Sequence, residues 1–302
     1  VILPGDARGL HAAVELLRAG ELVAFPTETV YGLGADARVD AAVARVFEAK
    51  GRPSFNPLIV HVSGLEMAEE IAVFTPPARR LAEALWPGPL TLVLNQRATA
   101  GISMLTTAGL DTMAVRMPAH DLARRLLHDF AGPLAAPSAN PSGQVSPTRA
   151  EHVLDGLGGR IAAVLDGGAC PVGLESTIVG FDGETCILLR PGGFEVERIE
   201  AVLGAPLDIR ALRHVNAPGQ LLSHYAPRAA LRLDASGPGR DEVWLGFGAV
   251  AALRPGLNLS PGGRLVGAMT AHPRIDPRTG EMCFFSYSLF EPYLRYHVIE
   301  AD

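Results

Sequence analysis

Phe25-Pro-Thr-Glu-Thr-Val-Tyr-Gly-Leu-Gly-Ala-Asp36 decides how this chain is read. The apolar run at 22–25 that leads into it has the length and composition of a buried strand. It breaks at Pro26 into hydroxyls, a carboxylate and two glycines, the pattern of a strand that delivers polar groups to a pocket. Close behind come Lys50-Gly-Arg-Pro-Ser-Phe-Asn-Pro57 and His61. Lys50 is the single lysine of the chain, although Lys and Arg together number 26. Two positions before Arg52, in a turn rich in Gly and Pro, it marks a place for an anion.

Working outward, Ala12, Ala13, Leu16 and Leu17 have helical spacing and predict a helix over 11–19, stopped by Gly20. A second helix is predicted over 40–49, with Val43, Val46 and Phe47 on one face and Asp40 at its N-terminus. Its end presents Lys50 and Arg52, and 57–62 returns as a strand carrying His61. Further helices fit 65–73, 77–85 and 121–130, the last burying Leu122, Leu126, Leu127 and Phe130; strands fit 90–94, 113–117, 134–136 and 162–165. This alternation gives an α/β domain ending near 203–204. Residues 205–230, including Ala217-Pro-Gly-Gln220, read as a linker, and alternating apolar residues at 231–233 and 243–247 predict a small second α/β unit.

A chain of 302 residues, 48% hydrophobic and 19% charged, has the composition of a soluble globular protein with a sizeable core. Its net charge of -6 argues against a protein whose main task is to grip a nucleic-acid backbone, so any phosphate must be held by local cations. Neither common phosphate-cradling glycine loop is present. Cys170, Cys186 and Cys283 are too few and too widely spaced for a disulfide framework or zinc knuckle, and reduced thiols are expected. No apolar run reaches the roughly 18 residues of a membrane span, and no signal peptide opens at Val1, so a cytoplasmic location is expected.

The two opening segments resemble the YrdC/Sua5 family of L-threonylcarbamoyladenylate synthases, which begin the threonylcarbamoyl modification of adenosine in tRNA. The resemblance continues through Val115-Arg-Met-Pro118, Ala136-Pro-Ser-Ala-Asn140, Ser146-Pro-Thr148, Gly173-Leu-Glu-Ser-Thr177, Arg190-Pro-Gly192 and Ser223-His-Tyr-Ala-Pro227. It implies an α/β fold: a YrdC-like twisted mixed sheet with helices over 1–204, a linker at 205–230 folding over the nucleotide site, and an incomplete Rossmann-like Sua5-type domain at 231–262. From about 263 the pattern departs. Thr270-Ala-His-Pro273, Phe284-Phe-Ser-Tyr-Ser288 and Pro292-Tyr-Leu-Arg-Tyr296 look like an internal piece of a carotenoid cleavage oxygenase. In such enzymes the His of Thr-Ala-His-Pro is one of four iron ligands; His272 alone makes no metal site. Residues 263–302 therefore read as a foreign tail, with Asp276-Pro-Arg-Thr-Gly280 as a hairpin turn.

The activity this resemblance implies joins L-threonine, bicarbonate or CO2, and ATP accompanied by Mg2+ into threonylcarbamoyl-AMP, releasing pyrophosphate. Such a site must bring two anions together and neutralise the leaving group. Lys50, Arg52 and Arg116 are the implied catalytic cations. A guanidinium at the end of a strand can hold a carboxylate through two parallel hydrogen bonds, which suits Arg116 to the threonine carboxylate. From position alone it also reads as half of a surface ion pair. Thr29, His61, Ser138 and Ser176 match the family's amino-acid positions. Lys50, Arg52, Asn56, Thr112, Asn140, Ser146 and Arg190 match its ATP positions, with Tyr225 closing from the linker.

His61, between Val60 and Val62, reads on its own as a structural histidine as readily as a ligand. Glu28 and Glu175 either bind Mg2+ through water or brace the pocket. The product is expected to pass to a separate tRNA threonylcarbamoyl transferase complex. Two other readings stay open. One is a double-stranded RNA or tRNA binding module, opposed by the net charge and by 6% aromatic residues. The other is carbamoyl transfer on the same fold, opposed by the His224-Tyr-Ala-Pro227 linker.

Overall fold

The computed structural model describes residues 1–209 and, further on, residues 268–269, 274–275, 282–287 and 294–299. In chain order the first part contains β1 (Ile2–Leu3), α1 (Ala7–Arg18), β2 (Val23–Phe25), β3 (Gly32–Asp36), α2 (Asp40–Lys50), β4 (Ile59–His61), α3 (Leu65–Ile71) and β5 (Ala72–Val73). There follow α4 (Pro76–Leu85), β6 (Leu90–Gln96), α5 (Met104–Thr107), β7 (Thr112–Arg116), α6 (Asp121–Phe130), β8 (Leu134–Ala135), α7 (Ala150–Leu157), β9 (Ala163–Leu165), β10 (Thr177–Asp182), β11 (Thr185–Arg190) and α8 (Val196–Leu203).

Local chemistry sets the element ends. Asp6 caps α1 by accepting from the Gly9 amide at 2.9 Å, and α1 buries Leu10, Ala13, Val14 and Leu17 as one stripe. The helix at 121–130 has the limits its periodicity predicts, and Leu122, Leu126, Leu127 and Phe130 are buried. α2 ends on Gly51 in the left-handed region (φ 59), a conformation glycine enters without a Cβ penalty, so the chain turns sharply between Lys50 and Arg52. The helix expected over 65–73 stops at Ile71, because Ala72 and Val73 pair instead with Gln96 and Asn95 at the sheet edge. Tertiary pairing overrides the helical period there.

The strands build one mixed sheet in the order β1-β9-β2-β3-β8-β4-β7-β6-β10-β11, with β5 on β6. β4 runs parallel to β7 with His61 opposite Arg116, and β6 runs antiparallel to β7 with Thr91 opposite Arg116. On one face Val60, Leu92 and Val115 join Val43, Val46, Leu81 and Leu85 from α2 and α4. On the other, Val23, Phe25, Leu134 and Leu165 receive Leu10, Leu17, Leu126 and Leu127 from α1 and α6. Because side chains alternate along a strand, His61, Arg116 and Thr91 lie on this second face, with Ile59, Ala114 and Val93 one period further along.

The chain divides into two compact units, Val1–His224 and Tyr225–Asp302. In the second, β12 (Ala268–Met269), β13 (Arg274–Ile275), β14 (Met282–Tyr287) and β15 (Leu294–Ile299) form an antiparallel sheet centred on β14. β13 and β14 flank the turn expected at 276–280, with Ile275 opposite Met282. The second α/β unit expected at 231–262, most of the linker, Tyr225 and His272 lie outside the described residues.

Candidate active site

The stretch at 26–36 builds a wall. Thr27 turns the chain after β2: its hydroxyl donates to the Val30 carbonyl at 2.7 Å and accepts from the Val30 amide at 3.2 Å. β3 then binds the 137–139 segment, through Leu33 N to Pro137 O at 2.7 Å and Ala139 N to Tyr31 O at 2.8 Å. Small residues in Ala136-Pro-Ser-Ala-Asn140 permit this close approach. It brings the Ser138 and Asn140 carbonyls to the end of α2, where the Lys50 ammonium donates to both. Arg52 donates through Nε to the Asn56 carbonyl at 3.2 Å and through Nη2 to the Pro57 carbonyl at 2.8 Å.

Arg116 leaves the end of β7 and is gripped on three sides. Nη2 meets Glu28 Oε1 at 2.5 Å, Nη1 donates to Thr29 Oγ1 at 2.8 Å, and Nε to the Gly88 carbonyl at 3.3 Å. It is therefore half of an ion pair, but a buried one. A guanidinium carries five N–H bonds, so among the described residues two on the terminal nitrogens remain for a ligand. Glu28 pairs with Arg116 here and accepts from the Ala119 amide.

His61 sits beside Arg116 and edge-on to Phe25, with ring centroids 6.1 Å apart. Burial, and then the Arg116 charge, push its pKa down to about 3. It is therefore a neutral imidazole at pH 7. Its Nδ1 is 3.3 Å from the Ile59 carbonyl, which can only accept, so the proton is assigned to Nδ1 and Nε2 is left as an acceptor.

A second carboxylate organises Ser146, Ser176 and Arg190. Glu175 accepts from Ser146 Oγ at 2.7 Å and stands 3.5 Å from Arg190 Nη2. Arg190 also donates through Nε and Nη2 to the Ser176 carbonyl, at 3.1 and 2.8 Å, and through Nη2 to Ser176 Oγ at 3.1 Å. Ser176 Oγ shares a 2.7 Å hydrogen bond with Thr91. Gly192 is dictated by space, since a Cβ there would lie 2.4 Å from the Glu175 carbonyl oxygen.

Lys50, Arg52, Arg116 and Arg190 are each no more than 8% exposed, and among them stand Glu28 and Glu175. Like charges this deeply buried are costly unless paired or hydrogen-bonded, and among the described residues Glu28, Glu175 and several carbonyls meet them. Burial and the neighbouring Arg52 lower the Lys50 pKa to about 7. Among the described residues the cluster gathers Lys50 and three arginines around two carboxylates, in a protein whose net charge is -6.

At the entrance to β4 the polar groups are less complete. The Asn56 amide is fully buried, yet neither its nitrogen nor its oxygen has a hydrogen-bond partner among the described residues; Asn140 Oδ1 is in the same condition. Such atoms cost about 1–3 kcal/mol each when unpaired, which marks a place for a polar ligand.

The structure therefore groups Lys50 with the Ser138 and Asn140 carbonyls and with Arg52 and Asn56, Arg116 with Thr29 and His61, and Ser146, Ser176 and Arg190 around Glu175, whose charge acts on both Lys50 and His61. Thr112 stands apart from Arg116, four residues back along β7 and thus ~13 Å away. It lies at the end where β4 enters, since Ala114 pairs with Ile59. Thr27 and Thr91 also belong to the site and are not read from the sequence: each carries only a hydroxyl whose partner is distant in the chain or hidden in a turn. Among the described residues no group of three or more His, Cys, Asp or Glu could hold a metal, and no helix is long and apolar enough to cross a membrane. Cys170 and Cys186 are unpaired and buried, and burial pushes the Cys170 thiol up to about 12.

Fold and cluster define an α/β protein with a buried cluster of cationic side chains at its mixed sheet. The family Sua5_yciO_yrdC, described as Telomere recombination, matches residues 15–192, and the chain belongs to it. Two relatives carry the name Threonylcarbamoyl-AMP synthase. That from Bacillus subtilis is 44% identical over 268 residues, covering 87% of this chain and 74% of the relative. That from Pyrococcus abyssi is 46% identical over 243 residues, covering 78% and 69%. A crystal structure of P. abyssi Sua5 complexed with L-threonine superposes with a TM-score of 0.72 at 45% identity, covering 76% of this chain and 70% of that one. Escherichia coli YciO, at 21% identity and a TM-score of 0.59, shares the fold.

Proposed function

We propose that this chain makes threonylcarbamoyl-AMP and pyrophosphate from L-threonine, bicarbonate and ATP, as a nucleotidyltransferase supplying threonylcarbamoyl groups for tRNA modification. The observation that carries this reading is the buried Arg116 guanidinium, gripped on three sides with two N–H bonds left among the described residues, beside the neutral His61 and opposite Thr91, whose hydroxyl meets that of Ser176. Those groups fit a free α-amino acid: the guanidinium takes its carboxylate through paired hydrogen bonds, and an acceptor at His61 Nε2 suits its amine.

The threonine nitrogen condenses with bicarbonate, forming an N–C bond and releasing water, to give a carbamate. A carbamate oxygen then attacks the α-phosphorus of ATP in line, and the bond to the pyrophosphate oxygen breaks. Lys50, Arg52 and Arg190 hold the phosphates and the developing charge, so the work of the site is positioning and electrostatics, with no covalent enzyme intermediate. Asn56 and Asn140 offer their unpaired amide atoms to the nucleotide, and Thr112 lies at that same end of β7. Mg2+ accompanying ATP would offset charge on the leaving phosphates, held through water by Glu175 and by the phosphates themselves. The adenylate would then pass to a tRNA-modifying transferase in the cytoplasm.

Pyrophosphate release from ATP and bicarbonate, with and without L-threonine, tests this. Threonine-dependent release, weaker with serine, with the adenylate seen by mass spectrometry, is expected. Release indifferent to threonine, or tRNA affinity without turnover, would sink the reading.

A further inference from the structure

In the proposed reaction Arg116 has a ligand and Glu28 has no task of its own. We propose that Glu28 is a positioning residue for L-threonine: its carboxylate holds the Arg116 guanidinium so that the two remaining N–H bonds meet the amino-acid carboxylate. This rests on the proposed function.

One carboxylate ties down both the side chain and the backbone that carries it. Oε1 takes Arg116 Nη2 at 2.5 Å, while Oε2 accepts from the Ala119 amide at 3.0 Å, three residues past the end of β7. Glu28 is itself anchored: its carbonyl accepts from Val172 N at 2.8 Å, and the Thr29 carbonyl from Gly173 N at 3.0 Å. The neighbouring hydroxyls fall into a directed chain. Thr27 Oγ1 gives its one proton to the Val30 carbonyl, so in its 2.8 Å contact with Thr29 the donor is Thr29 Oγ1, which in turn accepts from Arg116. Without Glu28, a side chain with about 2 kcal/mol of rotamer entropy to lose would be held only through Nη1 to Thr29 and the longer Nε bond to Gly88.

The competing view is that Glu28 contends with threonine for Arg116 and weakens binding. Geometry separates the two. Glu28 spends its second oxygen on a backbone amide, so it does not swing away when substrate arrives, and it uses a different N–H from those left for the ligand. Glu28 therefore fixes the orientation of Arg116 and leaves the substrate's hydrogen bonds open.

L-threonine binding by calorimetry, and KM for each substrate by pyrophosphate release, would be compared in the wild type, Glu28→Gln and Glu28→Asp. For Glu28→Gln, an L-threonine Kd and KM about tenfold higher or more are expected, with the ATP KM within about twofold. Glu28→Asp keeps the charge on a shorter stem and should recover part of the loss. An L-threonine Kd that is unchanged or lower in Glu28→Gln overturns the proposal, as does an equal loss toward both substrates. Should Glu28→Gln fail to fold, Glu28→Asp carries the test: an L-threonine KM about threefold higher with ATP unaffected supports the proposal, and any other pattern overturns it. Wild-type protein that binds no L-threonine would remove the underlying function instead, a result visible without any variant.

Discussion

The surroundings of Arg116 and of Asn56 are built on opposite principles. Around Arg116, buried polar groups have partners: the guanidinium has Glu28, Thr29 and Gly88, and the Thr29 hydroxyl has Thr27. Around Asn56 the reverse holds, with both atoms of a fully buried amide unpaired among the described residues, and Asn140 Oδ1 with them. The first region is organised before any ligand arrives, so binding there costs little reordering. The second bears a polar deficit that a ligand can cancel, so its groups cost stability in the empty protein and repay it on binding.

Four substitutions would break or sharpen that contrast. Arg116→Ala should have the largest effect, about 2–5 kcal/mol of transition-state binding, because Glu28 would be left buried without its cation. In steady-state pyrophosphate release this is a fall in kcat/KM for L-threonine of roughly 30-fold or more; near-normal activity would refute the site map. Asn56→Leu should act in two directions. It removes an unpaired amide worth about 1–3 kcal/mol, so the melting temperature of the ligand-free protein should hold or rise while the ATP KM increases. A destabilised variant with unchanged ATP KM would mean the amide is already satisfied.

The third test concerns pH. His61 has a folded-state pKa of about 3 against an ordinary 6.5, so between these values the unfolded chain binds the extra proton and the folded protein does not. Stability should therefore be complete above about pH 6.5 and fall toward pH 3 by up to ~1.4 kcal/mol per pH unit from this group. Urea unfolding from pH 4 to 7 should give a shallower slope for His61→Gln, and identical slopes would show that the imidazole is already protonated or solvated. The smallest effect is expected for Thr91→Val, which removes the 2.7 Å bond to Ser176 at about 0.5–1.5 kcal/mol. Chemical denaturation measures it; a larger loss of turnover than of stability would place Thr91 closer to the substrate than the contact with Ser176 implies.

Much of the scaffold was legible because its signals are local. The stripe of Leu122, Leu126, Leu127 and Phe130 predicts α6 at its observed limits, and Gly51 ends α2 where the motif bends. Where pairing between distant segments decides the outcome, the pattern misleads or is silent. Residues 72–73 look helical and become β5, while 32–36, poor in branched residues, becomes the central strand β3 because it pairs with Phe25 on one side and Ala135 on the other. The β10–β11 hairpin, with Phe181 opposite Cys186, likewise follows from pairing.

The site divides in the same way. The motifs from Thr29 to Arg190 name candidate cations and hydroxyls through their resemblance to a family; residue type alone marks only Lys50 and Arg52, as a place for an anion. Which of them touch is a different matter. That Glu28 faces Arg116 across 88 positions of chain, that Glu175 takes Ser146, and that His61 is buried deeply enough to lose its charge depend on strand register and desolvation. The sequence by itself determined which chemical groups this protein carries and in what order. Only the tertiary structure decided their protonation, their pairing and the two N–H bonds that Arg116 keeps among the described residues, because those depend on the distances and the dielectric that folding creates.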